Sequence, residues 1–195
     1  MDVAIALLAL VLFAPIIVIV SIAIRLSLGA PVFYKHTRVG LQGQLFECYK
    51  FRTMLNNGDE VLRRHLAANP EAAREWEETR KLRNDPRVTL LGRVLRKTSL
   101  DELPQLLNVL KGDMSCVGPR PIVSAELPKY GPHARHYLRA RPGLTGVWQV
   151  NGRSSTTYRQ RVVMDTLYVR RWSLWLDIKL LAMTLPAMIK TDDAV

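Results

Sequence analysis

Two adjacent carboxylates, Asp101 and Glu102, are the residues of this sequence whose types and spacing most directly suggest chemistry. Ser99 and Glu102 form the pattern of a capping box, which predicts that a helix begins here and that Glu102 reaches back to the N–H of Ser99. The macrodipole of a helix favours an ionised carboxylate in its first turn, so we expect Asp101 to be an anion at neutral pH. Such an anion can act as a nucleophile or as a metal ligand, although acids in a first turn often serve only as caps.

The helix that would carry the two acids is amphipathic. Its leucines recur at the spacing of one buried helical face, at Leu100, Leu103, Leu106, Leu107 and Leu110. Pro104 is tolerated because the first turn of a helix has no intrahelical N–H bonds to lose, and Lys111 with Gly112 predicts the end. The two acids therefore lie off the buried face.

Basic side chains bracket the acid pair along the sequence. Lys50 and Arg52 lie two residues apart on one face of a predicted strand, Arg96 precedes the acids, and Arg120 follows them between two prolines. The prolines stiffen the backbone, so they present the guanidinium of Arg120 at low entropic cost. Taken singly, each of these charges also fits a solvated surface. Together they suit phosphoryl chemistry, in which cations hold phosphate oxygens, a carboxylate attacks and a divalent metal neutralises charge.

A long apolar run precedes these residues. The segment Val3 to Ile24 is about 22 residues long, or roughly 33 Å if helical, which is enough to cross a bilayer. A signal peptide is disfavoured because a basic flank and a small-residue cleavage pattern are missing from this segment. Positive charges follow the run, so the bulk of the protein is expected on the cytoplasmic side.

Pro15 lies near the middle of the apolar run and leaves two topologies open. Proline removes an N–H bond and clashes with the preceding turn, so the helix is expected to kink there. A moderate kink is compatible with a full span, because transmembrane helices accommodate proline. A sharper one returns the chain to its leaflet of entry as a re-entrant helix.

The remaining segments predict an α+β protein that is mostly helical. Alternating apolar and polar residues around Gly40 to Gly43 predict a β-hairpin over Val32 to Met54. A charged helical pair follows over Asp59 to Arg83, with a break at Asn69-Pro70. The segment Arg159 to Lys190 is expected to be helical in two pieces, the second too short and too charged to be another span.

Composition limits the function classes. The chain has 195 residues, a formal net charge of +11 and 20 Arg against 8 Lys. The guanidinium of arginine binds phosphate through bidentate hydrogen bonds. The excess of arginine therefore suggests a phosphorylated substrate, an anionic membrane or a nucleic acid. Two cysteines without a CxxC pair argue against a zinc site or a disulfide framework, and they fit two buried thiols in a reducing compartment.

Five collinear motifs carry a family resemblance. The sequence resembles the bacterial sugar transferases, which are monotopic polyprenyl-phosphate phosphoglycosyl transferases that initiate exopolysaccharide or O-antigen synthesis. The resemblance covers essentially the whole chain. Its motifs are Lys50-Phe51-Arg52-Thr53-Met54, Thr98 to Gln105, Lys111 to Ser115, Val117-Gly118-Pro119-Arg120-Pro121 and Arg141 to Gly146.

The resemblance implies a two-step transfer at the cytoplasmic face of the bacterial inner membrane. Asp101 would attack the β-phosphate of a UDP-sugar and release UMP, and a polyprenyl (undecaprenyl) phosphate would then accept the phosphosugar. Glu102 would be the main ligand of Mg²⁺, with Asp101 close to the ion. Phosphate or nucleotide binding would fall to Lys50, Arg96 and Arg120, with Arg52 as a further candidate.

The resemblance also implies a fold and a topology. It favours a re-entrant membrane helix over residues 1–30, with Pro15 as topology determinant and both ends cytoplasmic. Residues 31–195 would form a compact cytoplasmic catalytic domain with a small β-hairpin or sheet and interfacial amphipathic helices that contact membrane lipid. Homo-oligomerisation and the identity of the sugar stay open, with galactose or glucose expected from the resemblance.

Two other classes of protein are compatible with parts of this sequence. A membrane-tethered nucleic-acid binder would explain the charge, but it predicts basic stretches interleaved with aromatic residues, which the arginines here do not form. A non-catalytic, membrane-tethered anion-binding scaffold predicts the loss of Asp101, Glu102 or Arg120, and all three are present. We therefore expect an enzyme with no nucleic-acid partner.

Overall fold

The structure is a computed structural model that describes residues 1–79, 82–151 and 156–189. These residues are mostly helical and contain two small two-stranded sheets, so the predicted α+β class with a helical majority is confirmed. Residues 80 and 81 of the predicted charged pair, and Lys190 at the end of the last predicted helix, lie outside the described residues. The division into a membrane helix and a catalytic domain at residue 30 stays a prediction.

Helix α1, Asp2–Leu28, contains the apolar run, with Pro15 inside it. Within the described residues it is the helix long and apolar enough to cross a membrane. One stripe of α1, from Ile5 to Leu28, packs against the core of the protein. The rest of its surface exposes large apolar side chains, including Leu8, Val11, Leu12, Ile19 and Leu26. Exposure of so many large apolar side chains to water is unfavourable, so α1 fits association with a membrane.

The predicted hairpin is confirmed. Strands β1, Phe33–Val39, and β2, Leu45–Phe51, pair antiparallel around a short 3₁₀ helix at Leu41–Gly43. The register places Tyr34 opposite Lys50 and His36 opposite Cys48. Directly opposed residues of an antiparallel pair share a face, so the side chains at 34, 36, 38 and 50 lie on the same side of the hairpin.

Helices α2, Gly58–Ala68, and α3, Pro70–Thr79, form the predicted charged pair with its break at Asn69. They hold a small apolar cluster of their own with Leu62 and Ala72. Helix α4, Leu90–Lys97, follows and is capped by Thr89, whose Oγ1 accepts from the Gly92 N–H at 3.0 Å. These helices lead the chain to the acid pair.

A 3₁₀ helix at Leu100–Gln105, here called the acidic 3₁₀ helix, carries the two acids and runs into α5, Leu106–Lys111. Leu103 and Leu106 are buried as predicted, whereas Leu107 is exposed. The predicted capping box is wrong: Ser99 adopts a left-handed conformation (φ 57°) and makes no side-chain cap. The carboxylate of Glu102 has a distant partner instead, the ammonium of Lys50.

The C-terminal half shares an apolar core with the acidic 3₁₀ helix, in which Val117, Tyr168 and Leu180 lie in one cluster with Leu103. Strands β3, Ser115–Val117, and β4, Gly143–Thr145, pair in parallel. A Cβ on Gly143 would lie 2.0 Å from the N atom of Gly118, so this close backbone approach requires glycine. The other elements are a 3₁₀ helix at Ser124–His133, α6 at Ala134–Tyr137, α7 at Val147–Asn151, α8 at Tyr158–Arg170 and α9 at Leu174–Ile189.

The predicted two-piece C-terminal helix is confirmed by α8 and α9. At their junction the indole N–H of Trp172 donates to Asp177 at 3.0 Å, and Tyr168 donates to the same carboxylate at 2.7 Å. The rings of Trp172 and Trp175 remain exposed. Exposed tryptophans beside arginines are typical of an interfacial anchor, and that role of the amphipathic helices stays a prediction.

Candidate active site

Lys50 and the two acids form the centre of the candidate site. The Nζ atom of Lys50 lies 2.6 Å from Oε1 of Glu102 and 3.9 Å from Oδ2 of Asp101. Asp101 is 8% exposed, and the side chain of Glu102 is more open, at 38%. Strand β2 and the acidic 3₁₀ helix pack together here, which brings together residues more than 50 positions apart in sequence.

The two neighbouring carboxyl groups have opposite pKa shifts. Burial raises the pKa of Asp101 to about 6, although Lys50 and Arg96 act against this shift. Burial also opposes the ionisation of Glu102, but the charges of Lys50, Arg120 and Arg38 together more than offset it and lower the pKa of Glu102. The expected effect of the helix N-terminus on Asp101 is thus outweighed by desolvation. At neutral pH Asp101 is still mostly ionised, and it is the more basic of the two carboxylates.

Lys50 keeps its charge in this environment. Burial lowers the pKa of its ammonium, but Glu102 and Asp101 together raise it above its ordinary value. An ammonium held between two carboxylates is positioned to contact phosphate oxygens that approach Asp101.

Arg96 approaches the site from α4. Its Nε donates to the hydroxyl of Thr53 at 2.9 Å, which orients the guanidinium. Gly92 permits this approach, because a Cβ there would lie 2.1 Å from the carbonyl oxygen of Thr53. Burial lowers the pKa of Arg96 and the charge of Asp101 opposes that shift, so the two groups interact electrostatically. The structure therefore groups Arg96 with the acids, as the sequence predicted.

Arg120 reaches the same site from the loop after β3. Its guanidinium carbon lies 5.4 Å from the centre of the Trp148 ring, and that of Arg161 lies 4.5 Å from the same ring. The charge of Arg120 contributes to the lowered pKa of Glu102. Cation–π contacts to one buried indole thus orient Arg120, which interacts with Glu102, and Arg161 beside it.

Arg38 is a site residue that the sequence analysis missed. It donates to the carbonyl of Pro121 at 3.3 Å and to Nδ1 of His36 at 3.0 Å. Its charge also helps to lower the pKa of Glu102. The alternation at 34, 36 and 38, which places Arg38 on the same face of the hairpin as Lys50, was the signal that could have identified it.

Trp148, Arg161 and Asp165 were also missed. Asp165 is 3% exposed and accepts a 2.7 Å hydrogen bond from the Tyr130 hydroxyl, and it interacts electrostatically with Arg120. Burial raises the pKa of Asp165 to about 7. Its position 45 residues after Arg120 carries no local pattern that would link the two.

Arg52 lies in a different environment from the one predicted. It is 6% exposed, and its guanidinium donates to the backbone carbonyls of Leu28, Gly29 and Ala30 at the end of α1. The expected phosphate-binding role of Arg52 receives no support from these contacts.

The donor set of the site fits Mg²⁺. Asp101 and Glu102 supply two adjacent carboxylates, and Mg²⁺ in proteins is commonly held by one or two carboxylates together with water and substrate phosphates. Within the described residues no group of three or more His, Cys, Asp or Glu side chains offers a site made of protein ligands alone. A Mg²⁺ ion at this position would therefore need water or substrate oxygens in addition to these two carboxylates.

Comparison with known proteins identifies the family of this chain. The family described as "Bacterial sugar transferase" matches residues 1–191, and the chain belongs to this family. The chain is 54% identical over 187 residues to the exopolysaccharide production protein ExoY of Rhizobium meliloti, which covers 96% of this chain and 83% of the relative. The resemblance stated from the motifs is thereby confirmed.

Two further relatives have more specific names. The undecaprenyl-phosphate galactose phosphotransferase of Salmonella typhimurium is 56% identical over 166 residues, covering 85% of this chain and 35% of the relative. The UDP-glucose:undecaprenyl-phosphate glucose-1-phosphate transferase of Caulobacter vibrioides is 42% identical over 206 residues, covering all of this chain and 70% of the relative. The predicted class of enzyme, a phosphoglycosyl transferase, is confirmed by these relatives.

Proposed function

We propose that this protein transfers a hexose-1-phosphate from a UDP-sugar to undecaprenyl phosphate and releases UMP. The observation that carries the proposal is the pairing of a buried, raised-pKa carboxylate, Asp101, with a cation-bound neighbour, Glu102. The names of the Salmonella and Caulobacter relatives support the lipid acceptor, and the latter also names a UDP-sugar donor.

In the first step, a carboxylate oxygen of Asp101 attacks the β-phosphorus of the UDP-sugar. A bond forms between this oxygen and phosphorus, the bond from phosphorus to the bridging oxygen breaks, and UMP leaves with that oxygen. We assign to Lys50, Arg96 and Arg120, which lie around the acid pair, the role of holding the phosphate oxygens while negative charge shifts to the leaving group.

In the second step, a phosphate oxygen of undecaprenyl phosphate attacks the same phosphorus and displaces Asp101. The products are undecaprenyl diphosphate sugar and the free carboxylate, so the enzyme returns to its starting state. Glu102, with Asp101 beside it, is the residue we propose to hold Mg²⁺. When bound, the ion supplies positive charge to the diphosphate oxygens.

We propose a re-entrant path for α1, because both of its ends contact the same domain. The carboxylate of Asp2 accepts from the Cys116 N–H of β3 at 3.3 Å, and Arg52 binds the carbonyls at the other end. A helix of 27 residues that crossed the membrane would place its ends about 40 Å apart, on opposite sides. Contacts at both ends fit an enzyme on the cytoplasmic face of the inner membrane, where a water-soluble nucleotide sugar meets a lipid phosphate.

A UMP-release assay on the protein in nanodiscs tests the proposal. A panel of UDP-sugars, with and without undecaprenyl phosphate and Mg²⁺, would identify the donor. Without acceptor, radiolabelled UDP-sugar should leave one labelled phosphosugar per active site, located on Asp101 by peptide mass spectrometry. The variant Asp101→Asn should acquire no label, while Glu47→Gln, which alters an exposed carboxylate, should behave as the wild type. Label on another residue would refute the assignment of the nucleophile.

A further inference from the structure

The guanidinium of Arg52 donates hydrogen bonds to backbone carbonyls at the end of α1. Its Nη2 donates to the carbonyls of Leu28 at 2.6 Å and Gly29 at 2.8 Å, and its Nη1 donates to Ala30 at 2.9 Å and to the side chain of Asn56. The backbone N–H of Arg52 donates to the Val32 carbonyl at 2.9 Å. Both terminal nitrogens of this buried arginine are thus occupied by protein acceptors.

These contacts supply hydrogen-bond donors to carbonyl groups at the end of α1. The last carbonyls of a helix have no intrahelical partner and carry the negative end of the macrodipole. Next to hydrocarbon such groups are costly to leave without a donor. The planar fork of arginine reaches several carbonyls at once, which the single ammonium of a lysine does not.

The neighbours of Arg52 in sequence hold the candidate active site. Two residues earlier, Lys50 binds Glu102 at 2.6 Å. One residue later, the Thr53 hydroxyl accepts from Arg96 at 2.9 Å. The four residues 50–53 therefore connect the acid pair, a phosphate-binding candidate and the end of the membrane helix along one short stretch of backbone.

We infer that Arg52 is a positioning residue, which ties the end of α1 to the strand end that aligns Lys50 and Arg96 on the two acids, and that it does not bind substrate phosphate. The inference rests on the proposed function for its kinetic consequences, but its structural part is independent of any activity. A displacement of the 50–53 backbone by about 1 Å would misplace the cations and cost activity without removing a substrate contact.

The variant Arg52→Gln tests this inference, with Arg63→Gln on exposed α2 as the matched control. Hydrogen exchange of full-length protein in nanodiscs should show backbone amides of residues 26–32 exchanging at least about threefold faster in Arg52→Gln only. In the UMP-release assay kcat should fall about tenfold or more, while KM for the UDP-sugar and the Kd of UMP stay within about twofold. Arg52→Lys should restore little of the loss.

The local change in hydrogen exchange is a readout that simple destabilisation would not give, because general unfolding would speed exchange throughout the chain and not at residues 26–32 alone. Asn56→Ala, which removes one partner of Arg52, should reproduce the effects of Arg52→Gln at smaller size and serves where that variant does not fold.

The possible failures are distinguishable. A rise in KM and in the Kd of UMP with unchanged hydrogen exchange would show that Arg52 binds phosphate. Faster exchange with unchanged kcat would show that the helix end is not coupled to the site, which also overturns the inference. If the wild type releases no UMP from any UDP-sugar, the proposed function fails, while the hydrogen-exchange comparison still decides whether Arg52 holds the helix end.

Discussion

The ammonium of Lys50 lies 2.6 Å from the carboxylate of Glu102 but 3.9 Å from that of its neighbour, Asp101. One cation therefore serves two adjacent acids unequally. Glu102 takes the close contact and its pKa falls, while burial dominates at Asp101 and its pKa rises to about 6. Two chemically similar side chains are thus separated into an electrostatic partner and a more basic, more nucleophilic carboxylate.

The pH dependence of turnover should report the pKa of Asp101. Because a nucleophilic carboxylate must be ionised, kcat/KM for UMP release should fall as the pH drops below about 6. Lys50→Met removes a charge that lowers this pKa, so the remaining activity should have its acid limb at higher pH. Stopped assays from pH 4.5 to 8.5 would measure the acid limb of the wild type and that of Lys50→Met, with Lys35→Met as an exposed control. Wild-type activity that does not fall between pH 7 and pH 4.5 would contradict the assignment.

Substitution of the two acids should have opposite effects on stability. At pH 7.5 Asp101→Asn removes a buried charge whose pKa is raised from 3.8 to about 6, so the free energy of unfolding should rise by up to about 3 kcal/mol. Glu102→Gln removes the partner of Lys50 and should lower it by about 1 kcal/mol, because the pair is partly exposed. Thermal unfolding in matched detergent measures both. Destabilisation by Asp101→Asn would show that its charge is well solvated.

Magnesium dependence should separate Glu102 from other acids. If Glu102 is a ligand, Glu102→Gln should raise the Mg²⁺ concentration for half-maximal activity at least about tenfold, since an amide is a poorer ligand than a carboxylate. Glu47→Gln is the control. An unchanged Mg²⁺ titration in Glu102→Gln would remove the ligand role.

Asp165 should make stability depend on pH. Its folded pKa of about 7 lies above the ordinary 3.8, so between these values the folded protein binds a proton that the unfolded chain has lost. The resulting stabilisation is complete below about pH 4 and is lost as the pH rises through 7. In Asp165→Asn the fall of Tm from pH 5 to 8 should be shallower, because the amide oxygen still accepts from Tyr130 without titrating. An equally steep fall would contradict the buried, protonatable carboxyl.

Pro15 should determine the topology of α1. Pro15→Leu restores the missing N–H and favours a straight helix, so a tag placed before Asp2 should move from the cytoplasmic to the periplasmic side. Ala14→Leu, which adds the same side chain and retains the proline, should leave the tag in place. Protease protection in spheroplasts distinguishes the two positions. A periplasmic tag in the unmodified chain would refute the re-entrant path.

Much of the architecture follows from local patterns in the sequence. Alternation predicted the hairpin of β1 and β2, and charge patterning predicted α2 and α3 with their break at Asn69. Apolar length identified α1. These features depend on side chains within one turn or one strand of each other, so a linear sequence contains the information that specifies them. The same holds for the acid pair, which the ordered family motifs connected with phosphoryl chemistry.

The roles of the individual charges depended on contacts between distant segments. The spacing of Ser99 and Glu102 predicts a cap, yet Glu102 pairs with Lys50 across 52 positions, since a charged partner outweighs one local hydrogen bond. Lys50 and Arg52 carry the same charge, and their spacing of two predicts that they share one face of a strand. In the structure Lys50 lies next to the acids, whereas Arg52 contacts the end of α1. Sequence alone determined which groups are present and which elements carry them. Only the tertiary structure decided which charge neutralises which, because desolvation and Coulomb energies depend on distances that folding sets.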